Sequence, residues 1–143
     1  MNPFDTVHEF ERQIAEYTGA PYATATDCCT HAVYMCLYWH KQKHNIKHIV
    51  LPTNTYVSIA MQAIHLDLDI IFERKKWSGM YDIGNTNIID SAARLYKGCY
   101  KPYHEQCLSF QFKKILSTIR GGMILTDDKN FYEWSQRAVH DGR

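Results

Sequence analysis

Apolar residues recur along the chain at two intervals, which together predict helices and strands in alternation. Near the start, Val7, Phe10, Ile14 and Tyr17 follow helical spacing, and Gly19 is a typical helix stop. Short apolar or β-prone runs between the helical stretches indicate strands. The predicted helices cover about residues 7–17, 30–43, 54–64 and 127–139, and the predicted strands cover residues 22–26, 48–52, 68–72, 86–90, 107–110 and 122–126.

The order of these elements predicts the fold class. Strands that alternate with helices are typical of βαβ units, so we expect a single α/β domain over residues 1–143. Its three layers would be a mainly parallel sheet with helices on both faces. The stretch ERKKWSGMYDIGN, residues 73–85, carries Ser-Gly and Gly-Asn turn signals and predicts a loop. Ligands bind such sheets beyond the carboxyl ends of the strands, which is where we look for chemistry.

Charge and composition exclude several classes of function. The formal net charge of +1 gives no electrostatic footprint for binding nucleic acid or an anionic membrane surface. There is no uncharged apolar run of about 18 residues and no basic-then-apolar leader pattern, so we expect a soluble cytoplasmic protein. The aromatic content of 13% is typical of interfaces and pockets as well as of cores.

The cysteines predict reduced thiols, because their number, five, is odd and no secretion signal is present. A zinc site could recruit Cys28, Cys29 and His31, with Cys107 as a further ligand. Adjacent cysteines chelate poorly and the sequence has no C-x-x-C spacing, so no metal site is predicted.

The first two strand ends carry residues suited to a phosphate and a planar ring. Thr30 and His31 open a helix, where backbone N–H groups and a hydroxyl can bind an anion. The alternative is that Asp27 or Thr30 merely caps that helix. Tyr56 begins the next helix and could stack on a planar ligand, although an aromatic residue there is more often packing.

The later strand ends add an acid, a hydroxyl and an amine. Asp90 ends a buried strand and needs a partner, which could be a protonated heterocyclic nitrogen, a backbone amide or an arginine. Ser109 is a second possible phosphate donor. Lys114 lies among apolar neighbours and could become a nucleophile that forms a Schiff base, or it could form a solvated pair with Lys113.

Six motifs in one order give these weak signals a common explanation. They are TDCCTHA, LPTNTYVS, IIDSAAR, LSFQFKK, RGGMILTDD and RAVHDGR. This series resembles the DegT/StrS-type nucleotide-sugar aminotransferases, which are fold-type I enzymes dependent on pyridoxal 5′-phosphate (PLP). The resemblance covers nearly the whole chain. It implies a reduced version of that family's large domain.

The resemblance implies a role for each candidate residue. Thr30, with the backbone amides of its neighbours Cys29 and His31, and Ser109 would hold the cofactor phosphate. Tyr56 would stack on the ring, Asp90 would pair with the ring nitrogen, and Lys114 would form the Schiff base and later shuttle a proton. The implied reaction moves an amino group from glutamate or glutamine to a keto-sugar nucleotide or a similar carbonyl compound.

The chain departs from the family pattern at four positions. Cys29 replaces a glycine, Gln111 replaces a histidine, and Arg120 replaces a glutamate. Ala93 replaces a histidine or glutamine, and the neighbouring Arg94 could make the contact that is lost there. The stretch between Phe72 and Asp90 is too short for the family's further βα unit, and no small C-terminal domain follows HDGR. Cofactor binding is thus better supported than substrate turnover.

Three functions remain open. The first is a reduced PLP-dependent aminotransferase, and the second is a PLP-binding protein with other chemistry or none. The third is a non-enzymatic remnant or an assembly subunit that needs a longer partner chain. The presence of both Asp90 and Lys114 favours the first two. Because loss of the small domain exposes apolar surface, we expect a homodimer or larger homo-oligomer.

Overall fold

The computed structural model describes residue 2 and residues 4–140 of the chain, so Asp141, Gly142 and Arg143 of the RAVHDGR motif lie outside the described residues. Four helices and seven strands make up this part of the chain. The helices are α1 (Asp5–Thr18), α2 (Cys29–His44), α3 (Val57–His65) and α4 (Lys129–Ala138). The strands are β1 (Tyr22–Thr26), β2 (His48–Pro52), β3 (Asp69–Glu73), β4 (Tyr81–Ile83), β5 (Ile88–Asp90), β6 (Glu105–Ser109) and β7 (Gly122–Thr126).

Local signals set the helix ends as the sequence predicted. After α1, Gly19 adopts the left-handed conformation with φ +80°, and its N–H donates to the carbonyl of Ala15. Asp128 caps α4, because its carboxylate accepts hydrogen bonds from the backbone N–H groups of Asn130 and Phe131.

Five strands form the main sheet in the order β1-β7-β6-β5-β4, and β2 and β3 form a second sheet. One antiparallel bridge joins the two sheets, where Val50 and Gly84 exchange backbone hydrogen bonds of 3.0 and 2.9 Å. A Cβ on residue 84 would lie 2.6 Å from the Cβ of Val50, so this close approach requires glycine.

Side chains alternate along β7 and face two different cores. Met123 and Leu125 pack with Ile14 of α1 on one face of the sheet. On the other face, Ile124 packs in the cluster that holds residues from α2, α3 and α4. The α/β class and the helices on both faces of the sheet are therefore confirmed.

The sheet is mixed, where the alternation of elements predicted mainly parallel pairing. Strand β5 pairs in parallel with β6, and β2 with β3, but β7 is antiparallel to β1 and β6, and β4 is antiparallel to β5. Residues 110–121, between β6 and β7, contain no helix, and a parallel return requires a long crossover. Strand β4 lies inside the stretch predicted as a loop, and its three residues are too few to show a period.

Two expectations from composition can be compared with the fold. All five cysteines are free, as their odd number predicted. Among the helices that the structure describes, none is both long enough and apolar enough to cross a membrane.

Candidate functional site

A cavity of about 630 Å³ lies beyond the carboxyl ends of β5 and β6, where the fold class predicted the chemistry. Asp90 ends β5, Ser109 ends β6, and both border the cavity. The starts of α2 and α3 and the segment before β7 complete its wall. The cavity brings together these predicted residues: Cys29, Thr30, Tyr56, Asp90, Ser109 and Lys114.

The first turn of α2 presents backbone donors that no side chain caps. Its N-cap, Cys28, makes no side-chain capping hydrogen bond, and the first turn contains no acidic residue. The alternative in which Asp27 or Thr30 caps this helix is therefore wrong. Thr30 Oγ1 instead lies 2.9 Å from Ser58 Oγ, and Ser58 also borders the cavity. Two hydroxyls beside a helix N-terminus suit a phosphate group.

Gly122 of β7 allows α2 to begin directly against the sheet. A Cβ on residue 122 would lie 2.5 Å from the carbonyl carbon of Cys28 and 2.6 Å from the backbone nitrogen of Cys29. The side chain of Cys29, which replaces a family glycine, packs in the core cluster. Burial raises the pKa of Cys29 well above its usual value, and the thiol stays neutral.

His31 is the one predicted site residue that does not border the cavity. Its Nδ1 lies 2.6 Å from Oδ1 of Asp27 on the exposed surface, and this contact holds the imidazole away from the cavity. The other oxygen of Asp27 accepts a hydrogen bond of 3.1 Å from Arg120, which does border the cavity. Partial burial raises the pKa of Asp27, but the hydrogen bonds from His31 and Arg120 outweigh burial and keep this pKa below its usual value.

One group of potential metal ligands occurs in the described part of the chain. Asp27, Cys28 and His31 offer ligand atoms that lie within 4.8 Å of one another. Cys29 and Cys107, which a zinc site could have recruited, are buried in the core instead. Because the guanidinium of Arg120 already pairs with Asp27, the local charge disfavours a cation here.

Asp90 brings a buried carboxylate to the cavity and is only 6% exposed. Its Oδ1 accepts a hydrogen bond of 2.9 Å from the backbone N–H of Ala92, and its Oδ2 accepts one of 3.0 Å from the hydroxyl of Tyr81. Burial raises the pKa of Asp90 above its usual value, although both hydrogen bonds oppose this shift. Among the described residues, Asp90 forms no ion pair. A cation in the cavity would therefore stabilise this carboxylate.

Lys114 borders the cavity from an irregular segment, residues 111–120. The lysine is half-buried, and its backbone N–H donates to the carbonyl of Gln111 at 2.8 Å. Its neighbour Lys113 also borders the cavity but is exposed, with Nζ 5.3 Å from the ring centre of Phe112. The structure thus leaves two lysines at the cavity, and the resemblance favours Lys114, because the family pattern places its lysine five residues after the serine that corresponds to Ser109.

Two aromatic residues border the cavity from different elements. Tyr56 precedes α3 and is 70% exposed, so its ring face is free to stack on a ligand. Trp77 also borders the cavity, and its Nε1 donates to Oδ1 of Asn54 at 2.8 Å. Trp77 and Tyr81 belong to the stretch predicted as a loop, and no local signal marked them. Ser58 lies within the quoted LPTNTYVS motif, which could have identified it.

The remaining departures from the family pattern have clear positions. Ala93 and Gln111 border the cavity in place of larger family side chains. The side chain of Arg94 packs over Gly79, where a Cβ would lie 2.5 Å from Nε of Arg94, and its replacement of the lost contact at residue 93 stays a prediction.

Comparison with known proteins identifies relatives at two levels. The family described as the DegT/DnrJ/EryC1/StrS aminotransferase family matches residues 2–73, which is half of the chain. No curated protein matches the sequence.

Solved structures with the same fold include three whose names describe related activities. One is an E. coli GDP-4-keto-6-deoxy-D-mannose-3-dehydratase with bound hydrated PLP, with TM-score 0.72 and 15% identity over 90% of this chain and 45% of that chain. A 3-amino-5-hydroxybenzoic acid synthase gives TM-score 0.71 and 17% identity over 97% and 47% of the two chains. An aminotransferase from Psychrobacter cryohalolentis gives 0.68 and 17% over 94% and 44%. The chain therefore spans about half the length of these structures.

Proposed function

The chain belongs to the DegT/DnrJ/EryC1/StrS aminotransferase family, and on that premise we propose that it binds PLP in the cavity and transfers amino groups. One observation carries the proposal. The buried carboxylate of Asp90 and the amine of Lys114 border a single cavity together with the uncapped start of α2. An acid, an amine and a phosphate site are the three groups that this cofactor requires of a protein.

The donor set fits each part of the cofactor. Asp90 pairs with the ring nitrogen and keeps it protonated, since a buried carboxylate without an ion-pair partner is stabilised by a cationic one. The hydroxyls of Thr30 and Ser109 and the backbone amides of Cys29 and Thr30 would bind the phosphate, and Lys114 would supply the primary amine. Ser58, 2.9 Å from Thr30, adds a third hydroxyl at the phosphate end.

The same residues account for the reaction. When bound, PLP supplies an electron sink that stabilises negative charge on the carbon next to a substrate amino group. Lys114 Nζ would remove a proton from that carbon and return it, as a general base and acid. Tyr56 holds a planar ligand by stacking. The amino donor is glutamate or glutamine, and the acceptor is a keto-sugar nucleotide or a similar small carbonyl compound.

A second copy of this chain is the proposed partner. The apolar side chains around Lys114 and at the start of α3 are mostly exposed to solvent. They are Tyr56, Val57, Phe112, Ile115 and Ile119. Surface of this kind next to a cavity supports burial by self-association. Light scattering coupled to gel filtration tests this partner, and a monomer would contradict it. The cytoplasmic location stays a prediction.

Titration of the purified protein with PLP tests the proposed function. A visible absorption band distinct from that of free PLP should appear, because a lysine amine shifts the spectrum of the cofactor aldehyde. Lys114→Ala should abolish this band, whereas Lys113→Ala serves as the matched control and should retain it. If excess PLP adds only the absorption of free PLP, with no new band, cofactor binding through a lysine is excluded.

Addition of L-glutamate separates the proposed transfer from silent cofactor binding. Bleaching of the visible band, with appearance of 2-oxoglutarate, is the result expected of an amino-group transfer. A stable band would favour the alternative of a PLP-binding protein without this chemistry.

A further inference from the structure

Tyr81 lies directly opposite Asp90 in the short antiparallel pair of β4 and β5. Cross-strand neighbours in such a pair point to the same face of the sheet. The hydroxyl of Tyr81 is 3.0 Å from Oδ2 of Asp90 and 2.6 Å from Oγ1 of Thr55. Tyr81 is only 4% exposed, whereas Thr55 borders the cavity. A chain of three polar groups therefore runs from the cavity wall to the buried carboxylate.

The donors in this chain have a fixed direction when Asp90 is ionised. A carboxylate has no hydrogen to offer, so the hydroxyl of Tyr81 donates to Oδ2 of Asp90. That hydroxyl has a single hydrogen, so Thr55 must donate to the oxygen of Tyr81. With Ala92 N–H on Oδ1, both carboxylate oxygens are held and the plane of the carboxylate is set. Each oxygen retains a lone pair for a further donor in the cavity.

Other titratable groups near Asp90 cannot replace Tyr81 in this role. Lys114 lies on the irregular segment and affects Asp90 through its charge, without an ion pair among the described residues. Cys29 of α2 and Cys107 of β6 also lie near the carboxylate. Burial raises the pKa of Cys29 well above its usual value, and the hydrogen bond with Cys36 together with burial does the same for Cys107. Both thiols are therefore neutral. In the described chain, Tyr81 is the side chain that hydrogen-bonds to Asp90.

We propose that Tyr81 is the positioning residue for Asp90: its hydroxyl, held by Thr55, orients the carboxylate toward the cavity and stabilises its ionised form. This role rests on the proposed function, since the carboxylate is oriented for the ring nitrogen of PLP. Tyr81 itself touches neither cofactor nor substrate in this role. It comes from β4, the strand that stands inside the shortened stretch 73–85.

Tyr81→Phe tests the proposal, with Tyr100→Phe as the matched control. Tyr100 is also a partly buried phenol, and its hydroxyl donates to the carbonyl of His104 at 3.0 Å and not to Asp90. The first readout is the pH titration of Asp90 in the protein without cofactor. Isotope-edited infrared spectroscopy monitors its carboxyl band, and comparison with Asp90→Asn assigns that band. Loss of the donated hydrogen bond should move the Asp90 titration to higher pH in Tyr81→Phe and leave it unchanged in Tyr100→Phe.

The second readout is PLP affinity from the visible band. Tyr81→Phe should weaken it roughly tenfold, the effect of one hydrogen bond to a charged group, and as pH is lowered the loss of affinity should begin at a higher pH than in the wild type. Thr55→Val keeps the phenol of Tyr81 but removes the hydroxyl that donates to it. This variant should shift the Asp90 titration and the PLP affinity in the same direction by a smaller amount, and it replaces Tyr81→Phe as the test if that variant does not fold.

The outcomes separate this proposal from the proposed function. If the wild-type protein binds no PLP, the proposed function fails, while the Asp90 titration still decides whether Tyr81 controls the carboxylate. If the wild-type protein binds PLP and neither variant changes the titration or the affinity, the positioning role is overturned and the cofactor site stands.

Discussion

Two buried carboxylates lie on neighbouring parallel strands at opposite ends of the sheet, and they have different hydrogen-bond partners. Glu105 begins β6 and is 7% exposed, and its Oε2 lies 2.9 Å from Nε2 of the equally buried His40. Asp90 ends β5 and is 6% exposed, but it has a phenol and a backbone amide as partners. The fold itself therefore supplies a basic partner to Glu105, whereas Asp90 faces a cavity of about 630 Å³.

This difference indicates which end of the sheet is built for a ligand. Burial of a carboxylate without a basic partner costs free energy, which a folding domain avoids unless the site serves a function. Glu105 and His40 form a completed pair that stabilises the fold. Asp90 has no basic partner in the described part of the fold and can pair with a cationic group of a ligand, such as the protonated ring nitrogen of PLP.

The largest expected effect comes from removing each acid in turn. Glu105→Ala should lower the free energy of unfolding by about 3 kcal/mol, because it leaves buried His40 without its partner. Asp90→Ala should cost about 1 kcal/mol, since the lost hydrogen bonds are partly offset by removing an uncompensated buried charge. Urea denaturation of the protein without cofactor measures both. Equal losses of unfolding free energy in the two variants would contradict the distinction between the completed Glu105–His40 pair and Asp90.

Glu133→Ala is the control for this pair of measurements. Glu133 lies on the exposed surface of α4, 3.7 Å from the amine of Lys129. Exposed pairs of this kind contribute little, so the change should stay below about 0.5 kcal/mol.

The next effect concerns the cofactor. Asp90→Asn should weaken PLP binding by about a hundredfold, because the protonated ring nitrogen loses its buried counter-charge. Asp82→Asn is the matched control, since Asp82 pairs with Lys101 at 3.2 Å on the surface. Absorbance titrations give both affinities, and similar affinities for Asp90→Asn and the wild type would refute the assigned role of Asp90.

A smaller effect follows from the raised pKa of Asp90. Burial favours the protonated acid in the folded state, so Asp90 contributes stability that is present below its usual pKa of 3.8 and is lost as pH rises through its raised folded value. The urea midpoint of the wild type, relative to that of Asp90→Asn, should therefore decrease as pH rises from 3.8 towards neutrality. A difference that increases over this range would contradict the sign of the shift.

The smallest expected effect lies at the phosphate end. Thr30→Val or Ser58→Ala should each weaken PLP binding about fivefold, since several donors share the phosphate. Binding of pyridoxal, which has no phosphate, should change little in either variant. An equal loss for both ligands would show that these hydroxyls do not contact the phosphate.

The elements that depend on local pattern could be predicted from the sequence. The strands at residues 22–26, 48–52 and 122–126 have the predicted bounds, because each is a compact β-prone or apolar run between polar stretches. The antiparallel direction of β7 was missed although no helix was predicted between β6 and β7, because the overall alternation of helices and strands favoured parallel pairing. Strand β4 was missed because three residues are too few to show alternation.

The site divides in the same way. The order of motifs located six of the residues that border the cavity, because strand ends in an α/β sheet meet at one edge. Tyr81 was not predicted, since its contact with Asp90 depends on the β4–β5 register and not on spacing along the chain. The orientation of His31 was not predicted either, because the competing carboxylate of Asp27 decides it.

Peptide mapping after borohydride reduction tests the central claim most directly. Reduction of the PLP-treated protein should fix the cofactor as a stable adduct, and fragmentation of the peptide that carries Lys113 and Lys114 should place it on Lys114. Loading should be stoichiometric in the wild type and strongly reduced in Asp90→Asn at limiting PLP. An adduct on Lys113, or one spread over several surface lysines, would contradict the claim that Asp90 and Lys114 form one cofactor site.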